Sequence, residues 1–143
     1  MPIDSRLAAA FFVLLLFVSP VGGTERVVFL DVGQGDAILV QSADCNLLVD
    51  AGNLATAGAL PERLKSYGAA GLEKLVITHP HLDHFGGVFA FTPGFSIGQV
   101  YDNGAENADW VYFAEYKKWR ERYSYSVLAA GDRLSCGNAE IEV

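Results

Sequence analysis

Short runs of apolar and β-branched residues, separated by glycine-rich or polar turns, recur along most of the chain. Residues 26–32, 37–41 and 46–50 are such runs, and the polar residues 42–44 lie between the last two. This spacing predicts three short strands that form an antiparallel meander. Residues 75–77 form a brief, fully apolar run, which is typical of a buried strand.

The rest of the pattern alternates strands with helices. Residues 57–67 combine apolar side chains with three charged ones and end at Gly68 or Gly71, so we expect a helix. One more strand is predicted at residues 99–101, followed by a loop at 102–108. The chain then ends in a pattern typical of a hairpin, with strands at 125–128, 133–136 and 139–143 and turns at 130–132 and 137–138. This alternation predicts a single α/β domain.

An aromatic helix is predicted at residues 110–122, with Asp109 as its N-cap. Its aromatic residues are spaced so that they share one face: Tyr112, Tyr116, Trp119 and Tyr123. Basic residues occupy much of the remaining surface: Lys117, Lys118, Arg120 and Arg122. Two interpretations are open. The helix either buries its aromatic face in the core and solvates its charges, which we favour, or presents a platform for nucleic-acid bases.

The first residues have the composition of an export signal. Arg6 precedes an unbroken apolar run at residues 7–18, and small residues close the segment at Gly22 and Gly23. A helix of that length rises about 18 Å, which is short of the roughly 30 Å hydrocarbon core of a bilayer. We therefore predict a signal peptide at residues 1–23 and one domain at 24–143, exported to the periplasm or the extracellular space and without a stable membrane span. An uncleaved anchor or a buried helix is the alternative.

Composition and charge narrow the possible classes of protein. With 143 residues, 51% of them hydrophobic and 19% charged, the chain is neither disordered nor collagen-like. A formal net charge of −7 argues against a surface that coats DNA, which would be basic. Cys45 and Cys136 are the two cysteines of the chain. In an exported protein they could form a disulfide, but two free buried thiols are equally compatible with the sequence.

The chemistry is concentrated in a histidine cluster. All three histidines of the chain fall within residues 79–84, in the order His79-Pro-His81-Leu-Asp83-His84, directly after the buried strand. Zinc binds imidazole nitrogens and carboxylate oxygens at about 2.0–2.2 Å, and its catalytic sites keep one position open for water. On an extended loop, His79 and His81 project to the same side and can share one ion. Asp83 and His84 can bind a neighbouring ion, and Gly86-Gly87 would let the loop turn tightly.

The spacing His79-x-His81-x-Asp83-His84 after a strand resembles the defining motif of the metallo-β-lactamase fold superfamily. The surrounding segments, FLDVGQGDA at residues 29–37, LLVDAGN at 47–53 and LVITHPHLDHFGG at 75–87, are similar to the β-lactamase-like domain of ComEC-type competence proteins, as is LAAGDRL at 128–134. The resemblance covers residues 27–143. It implies an αβ/βα sandwich with a mononuclear or dinuclear metal site between the two sheets.

The resemblance also implies roles for individual residues. His79 and His81 would bind a first metal ion, and Asp83 and His84 a second; zinc is expected, with manganese as an alternative. Asp83 would in addition be catalytic, by orienting the attacking water or accepting its proton. Asp50 would support the site by orienting its ligands, although an aspartate that only shapes the turn before Gly52 is the alternative. Asp31, Gln34 and Asp36 are expected to be structural or near the site.

The chain departs from the superfamily pattern after His84. A complete dinuclear site in this superfamily uses a further histidine, a bridging aspartate and a last histidine later in the chain, and no histidine follows His84 here. We therefore expect an incomplete sandwich, either the N-terminal part of a longer protein or a degenerate homologue. For this polypeptide alone we expect weak or single-metal binding and poor or absent catalysis.

Three functions are compatible with these observations. The leading interpretation, implied by the resemblance, is a metal-dependent hydrolase that acts on phosphodiesters in nucleic acid. The second is a hydrolase of a small-molecule substrate, such as an ester, a lactone, a thioester or a β-lactam. The third is a truncated or degenerate binding domain without enzymatic activity. The sequence does not specify the oligomeric state.

Overall fold

The computed structural model describes residues 24–106 and 112–143. Its main element is a six-stranded sheet in which the strands lie side by side in the order of the sequence. The strands are β1 (Arg26–Phe29), β2 (Ile38–Ser42), β3 (Cys45–Val49), β4 (Gly71–Ile77), β5 (Ser96–Asp102) and β6 (Ser124–Val127). β1, β2 and β3 are antiparallel, as the meander predicted, whereas β3 to β6 run parallel.

Helices connect the parallel strands and cover one face of the sheet. The connections contain α1 (Leu60–Ser66), α2 (Leu82–Phe85) and α3 (Phe113–Arg120), with 3₁₀ helices at Leu54–Ala59 and Gly86–Ala90. Their apolar side chains and one row of strand residues form a single buried cluster, which includes Leu39, Leu48, Leu75, Val100, Leu64, Phe85 and Tyr116. Burying this much apolar surface is the main contribution to the stability of the fold.

A small second sheet lies against part of the opposite face. It consists of β7 (Arg133–Cys136) and β8 (Ala139–Glu142), which form an antiparallel hairpin. Leu134 and Cys136 from this hairpin pack with Leu47 and Tyr101 of the main sheet. A disulfide between Cys45 and Cys136 joins the hairpin to the start of β3. The sequence was compatible with a disulfide or with two free thiols, and the structure contains the disulfide.

Several predicted boundaries differ from those of the structure. β1 ends at Phe29 rather than at residue 32, because the chain leaves the ladder there to enter the turn before β2. β4 and β5 extend well beyond the predicted residues 75–77 and 99–101. The predicted pairing of residues 125–128 with 133–136 is wrong. β6 instead pairs in parallel with β5, because α3 carries the chain back along the sheet.

The aromatic helix is a core element. Tyr116 and Trp119 are almost fully buried, whereas Tyr112 is exposed, so the interpretation as a nucleic-acid platform is wrong for this face. The predicted cap Asp109 and the first two residues of the predicted helix, 110 and 111, lie outside the described residues, as does the predicted signal peptide at residues 1–23. Within the parts of the chain that the structure describes, no helix is both long and apolar enough to cross a membrane.

Candidate metal centre

The candidate site lies where β3 and β4 end. Asp50 directly follows β3 and Thr78 directly follows β4, and because the two strands are parallel neighbours their carboxyl ends meet at one edge of the sheet. The backbone N–H of Asp50 donates to the carbonyl of Val76 at 2.8 Å. Asp50 has a left-handed backbone, with φ of 57°, and is only 2% exposed. A buried carboxylate in this conformation must be held by specific partners.

Those partners come from the histidine segment. Oδ1 of Asp50 accepts the backbone N–H of Thr78 at 2.8 Å, and Oδ2 accepts the Thr78 hydroxyl at 2.7 Å. Oδ2 also lies 2.8 Å from Nδ1 of His84. Because a carboxylate accepts hydrogen bonds, this contact places the imidazole proton of His84 on Nδ1 and leaves the lone pair on Nε2. Asp50 is therefore positioned to orient His84.

A similar arrangement orients His79. Its Nδ1 lies 3.0 Å from the hydroxyl oxygen of Thr78, which already donates its proton to Asp50. Nδ1 of His79 is therefore the donor in that contact, and Nε2 carries the lone pair. Sequence reasoning missed this role of Thr78. Its position before His79 was visible, but its contact with Asp50 joins residues that are distant in the sequence.

The ligand atoms of the histidine motif converge. Nε2 of His79 lies 2.9 Å from Nδ1 of His81, close to the roughly 3.3 Å that separates two nitrogens bound tetrahedrally to one zinc. Nε2 of His84 lies 3.9 Å from Oδ1 of Asp83, and the rings of His79 and His84 have centroids 4.0 Å apart. The structure thus places the four predicted ligands as two neighbouring pairs, His79 with His81 and Asp83 with His84. Their imidazole and carboxylate donors are of the kind that binds a metal ion.

The local fold explains this convergence. The segment is not the extended loop that we expected. Thr78 and His79 lie in a bend, and the N–H of His81 donates to the carbonyl of His79 at 2.9 Å. Because α2 begins at Leu82, Asp83 and His84 lie in a helical turn. The backbone of this turn is also bonded to the turn after β3, where the N–H of Ala51 donates to the carbonyl of His84 at 2.7 Å.

Gly86 and Gly87 have a different role from the predicted one. Neither glycine has a positive φ, so neither supplies a special turn conformation. Instead, a Cβ at Gly87 would lie 1.8 Å from the carbonyl oxygen of Ala51, and one at Gly86 would lie 2.3 Å from the nitrogen of Leu54. The two glycines therefore allow the histidine segment to pack directly against the turn that carries Asp50.

Electrostatics favour neutral imidazole at the site. Burial lowers the pKa of His79 from its usual value of 6.5, and the neighbouring imidazoles of His84 and His81 lower this pKa further. Neutral imidazole is the form that binds metal ions.

A second carboxylate approaches His84 from the opposite edge. Oδ2 of Asp36 lies 3.9 Å from Nδ1 of His84, and donor atoms of Asp36, Asp50 and His84 lie within 4.8 Å of one another. This set uses the nitrogen of His84 that already faces Asp50, whereas the predicted ligand set uses Nε2. Asp50 is engaged by Thr78 as well, so the predicted ligand set, at the Nε2 edge of His84, does not compete with these hydrogen bonds. Asp31 is exposed and caps the turn at Gly33.

A sequence profile identifies the family of this chain. The profile of the metallo-beta-lactamase superfamily matches residues 30–134. The chain belongs to this superfamily. The match includes five of the six strands of the main sheet, β2 to β6, together with the histidine motif. The predicted superfamily and the predicted α/β fold class are therefore confirmed.

Relatives of this metallo-beta-lactamase superfamily domain include a competence protein and several solved lactamase structures. The chain is 34% identical over 92 residues to the competence protein ComA of Neisseria gonorrhoeae, a match that covers 63% of this chain and 13% of ComA. The lactamase SMB-1 superimposes with a TM-score of 0.56 at 17% identity, over 85% of this chain and 50% of SMB-1. A variant lactamase from Cronobacter sakazakii gives a TM-score of 0.55 at 19% identity, over 80% of this chain and 48% of that one.

The chain spans about half the length of these lactamases and 13% of ComA. At these low identities the lactamase structures show the fold alone. The roles of His79, His81, Asp83 and His84 as ligands, and of Asp50 as their support, remain predictions that the geometry fits.

Proposed function

We propose that this chain carries the metal-binding segment of a metal-dependent hydrolase, and that the substrate is a phosphodiester of nucleic acid. The observation that carries the proposal is the convergence of Nε2 of His79 with Nδ1 of His81, next to the Asp83–His84 pair. The similarity to a competence protein favours nucleic acid among the substrates of such a centre.

In this proposal each residue of the site has a separate role. His79 and His81 hold one ion, and Asp83 with Nε2 of His84 holds a second, with zinc or manganese as the metal. When bound, such ions polarise the oxygen under attack and lower the pKa of the attacking water. Oδ1 of Asp83 lies 3.9 Å from Nε2 of His84, so the Asp83 carboxylate is placed to orient that water. Asp50 and Thr78 keep the imidazoles in the required tautomers.

Charge limits how the substrate can be held. The chain has a net charge of −7, which opposes extended contacts with a phosphate backbone. We therefore propose that this chain contacts nucleic acid only at the metal centre and not across a broad surface.

The decisive experiment uses the full-length protein. Single-stranded DNA and the β-lactam nitrocefin are each incubated with the wild type and with Asp83→Asn, in manganese, in zinc and in a chelator. We expect metal-dependent cleavage of DNA by the wild type, none with Asp83→Asn, and full activity of the matched surface variant Asp44→Asn. Hydrolysis of nitrocefin without cleavage of DNA would favour the small-molecule alternative. Failure on both substrates, with no metal bound, would favour a binding domain without activity.

We also propose that the domain works outside the cytoplasm. The export pattern of residues 1–23 supports this, and so does the disulfide between Cys45 and Cys136, because disulfides persist in oxidising compartments. Sequencing the N-terminus of the protein purified from its natural host tests the idea. A mature chain that begins at Thr24 supports export by cleavage. A retained N-terminus in the membrane fraction supports the uncleaved anchor, and one in the cytosol contradicts both.

A further inference from the structure

The glycine-rich turn before β2 packs directly against the metal motif. Gly33 and Gly35 have φ values of 73° and 100°, which only glycine adopts readily. A Cβ at Gly35 would lie 1.8 Å from the carbonyl oxygen of Asp83. The turn therefore lies against the Asp83 peptide with no room for a larger residue.

Between these two glycines, the side chain of Gln34 reaches the same residue. Its Nε2 donates to Oδ2 of Asp83 at 3.3 Å, while Oδ1 of Asp83 lies 3.9 Å from Nε2 of His84. The two oxygens of Asp83 thus have different partners. One is held by the amide of Gln34, and the other faces the ligand edge of His84.

The backbone of the turn does not require glutamine at this position. Its special conformations fall on Gly33 and Gly35, and Gln34 itself has no positive φ. The amide of Gln34 is exposed, so its contact with Asp83 adds little to the stability of the fold. Since folding does not need the Gln34 side chain, the best explanation for its hydrogen bond to Asp83 is that it holds Asp83 in place as a metal ligand.

We propose that Gln34 is a positioning residue of the metal centre. Its amide fixes the carboxylate of Asp83 so that Oδ1, and not Oδ2, faces the metal beside His84. This inference rests on the proposed function, because it assumes that Asp83 binds a metal ion. It assigns to Gln34 a role that the sequence alone left open.

The test measures metal binding rather than activity. Manganese is titrated calorimetrically into the metal-free full-length protein, as wild type, Gln34→Leu and Gln34→Asn. Leucine removes the amide at similar size, and asparagine keeps the amide but shortens the side chain beyond reach of Asp83. We expect both variants to bind manganese about 10–100-fold more weakly, the range found when a group that orients a metal ligand is removed.

Two controls separate the possible outcomes. Gln99→Leu removes a glutamine that bonds Ser126 on the main sheet, away from the site, and should bind manganese as the wild type does. Thermal unfolding of each metal-free variant should match the wild type, which a merely structural role of Gln34 would not allow. Wild-type affinity in both Gln34 variants overturns this inference and leaves the proposed function standing. A wild type that binds no manganese, and no zinc when zinc is titrated in the same way, overturns both.

Discussion

Nδ1 of His84 lies 2.8 Å from Oδ2 of Asp50, and this contact joins the turn after β3 to the first turn of α2. Thr78 bonds to the same carboxylate and also contacts His79, so one buried aspartate controls the orientation of two imidazoles. The metal motif therefore depends on a residue outside it, which the chain places nearby through the parallel pairing of β3 with β4.

Replacing Asp50 with asparagine tests this dependence. Both oxygens of the Asp50 carboxylate accept hydrogen bonds, and asparagine replaces one of them with an N–H₂ donor. In either orientation of the amide, this donor would face the N–H of Thr78 or Nδ1–H of His84, so a donor would face a donor. We expect Asp50→Asn to weaken zinc binding by about 10–100-fold, measured by competition with a chromogenic chelator. Asp44→Asn, in the exposed turn between β2 and β3, is the matched control. Equal zinc affinity in Asp50→Asn and Asp44→Asn would mean that Asp50 only shapes the turn before Gly52.

The two carboxylates beside His84 are distinguished by a paired substitution. Asp83 faces Nε2 of His84 and Asp36 faces Nδ1, each at 3.9 Å. If the metal lies at the Nε2 edge, Asp83→Asn should lose more bound metal than Asp36→Asn after dialysis, as measured by elemental analysis. The reverse order would place the ion among Asp36, Asp50 and His84.

Part of this site could be predicted from sequence because its ligands are adjacent in the chain. The spacing of His79, His81, Asp83 and His84 specifies the donor chemistry without any knowledge of the fold. The contact between Gln34 and Asp83 could not be predicted in this way, since it depends on how closely the turn at Gly35 approaches α2. The role of Asp50 required the family resemblance, and its partners required the structure.

The fold was predictable to a similar extent. Short runs of apolar and β-branched residues indicated the strands, but not which strands would pair. The predicted strands at residues 125–128 and 133–136 are both short and separated by a turn, so a hairpin was the simplest prediction. The pairing of β6 with β5 is decided by tertiary packing, because Tyr116 and Trp119 of α3 must be buried against the sheet.

The disulfide should contribute measurably to stability. Cys45 and Cys136 are 91 positions apart, so their bond restricts a long loop in the unfolded chain. We expect the double variant Cys45→Ala/Cys136→Ala to lose about 2–5 kcal/mol of unfolding free energy, measured by urea denaturation. A reductant should lower the stability of the wild type to a similar degree and leave the double variant unchanged. Coincident transitions of the oxidised wild type and the double variant would contradict this expectation.

Gly87 should be intolerant of even one added methyl group. An alanine Cβ would lie 1.8 Å from the carbonyl oxygen of Ala51, so the 3₁₀ helix Gly86–Ala90 and the Asp50 turn would have to separate. We expect Gly87→Ala to lower the free energy of unfolding by about 1–3 kcal/mol and to weaken metal binding as well. Gly58→Ala, where a Cβ would have no neighbour within 4 Å, should change stability by no more than about 0.5 kcal/mol. Similar stabilities for the two variants would show that the contact relaxes without cost.

Alkaline pH should destabilise the fold through two tyrosines that bond to Asp102 at the end of β5. Asp102 accepts hydrogen bonds from the hydroxyls of Tyr125 and Tyr116, at 2.6 and 2.9 Å, and from Arg120 at 2.6 Å. Burial, the hydrogen bond to Asp102 and the negative charge of Asp102 raise the pKa of Tyr125 to about 12. In the unfolded chain the pKa of tyrosine is about 10.

The folded form therefore keeps a proton that the unfolded form has released. Between about pH 10 and 12, the stability supplied by neutral Tyr125 should fall as the pH rises, whereas below pH 10 it is fully present. We expect the drop in melting temperature between about pH 9 and 12 to be smaller in Tyr125→Phe than in the wild type. Tyr67→Phe, at an exposed position, should behave as the wild type does. An equal drop in all three proteins would mean that Tyr125 ionises in the folded state as it does in the unfolded chain.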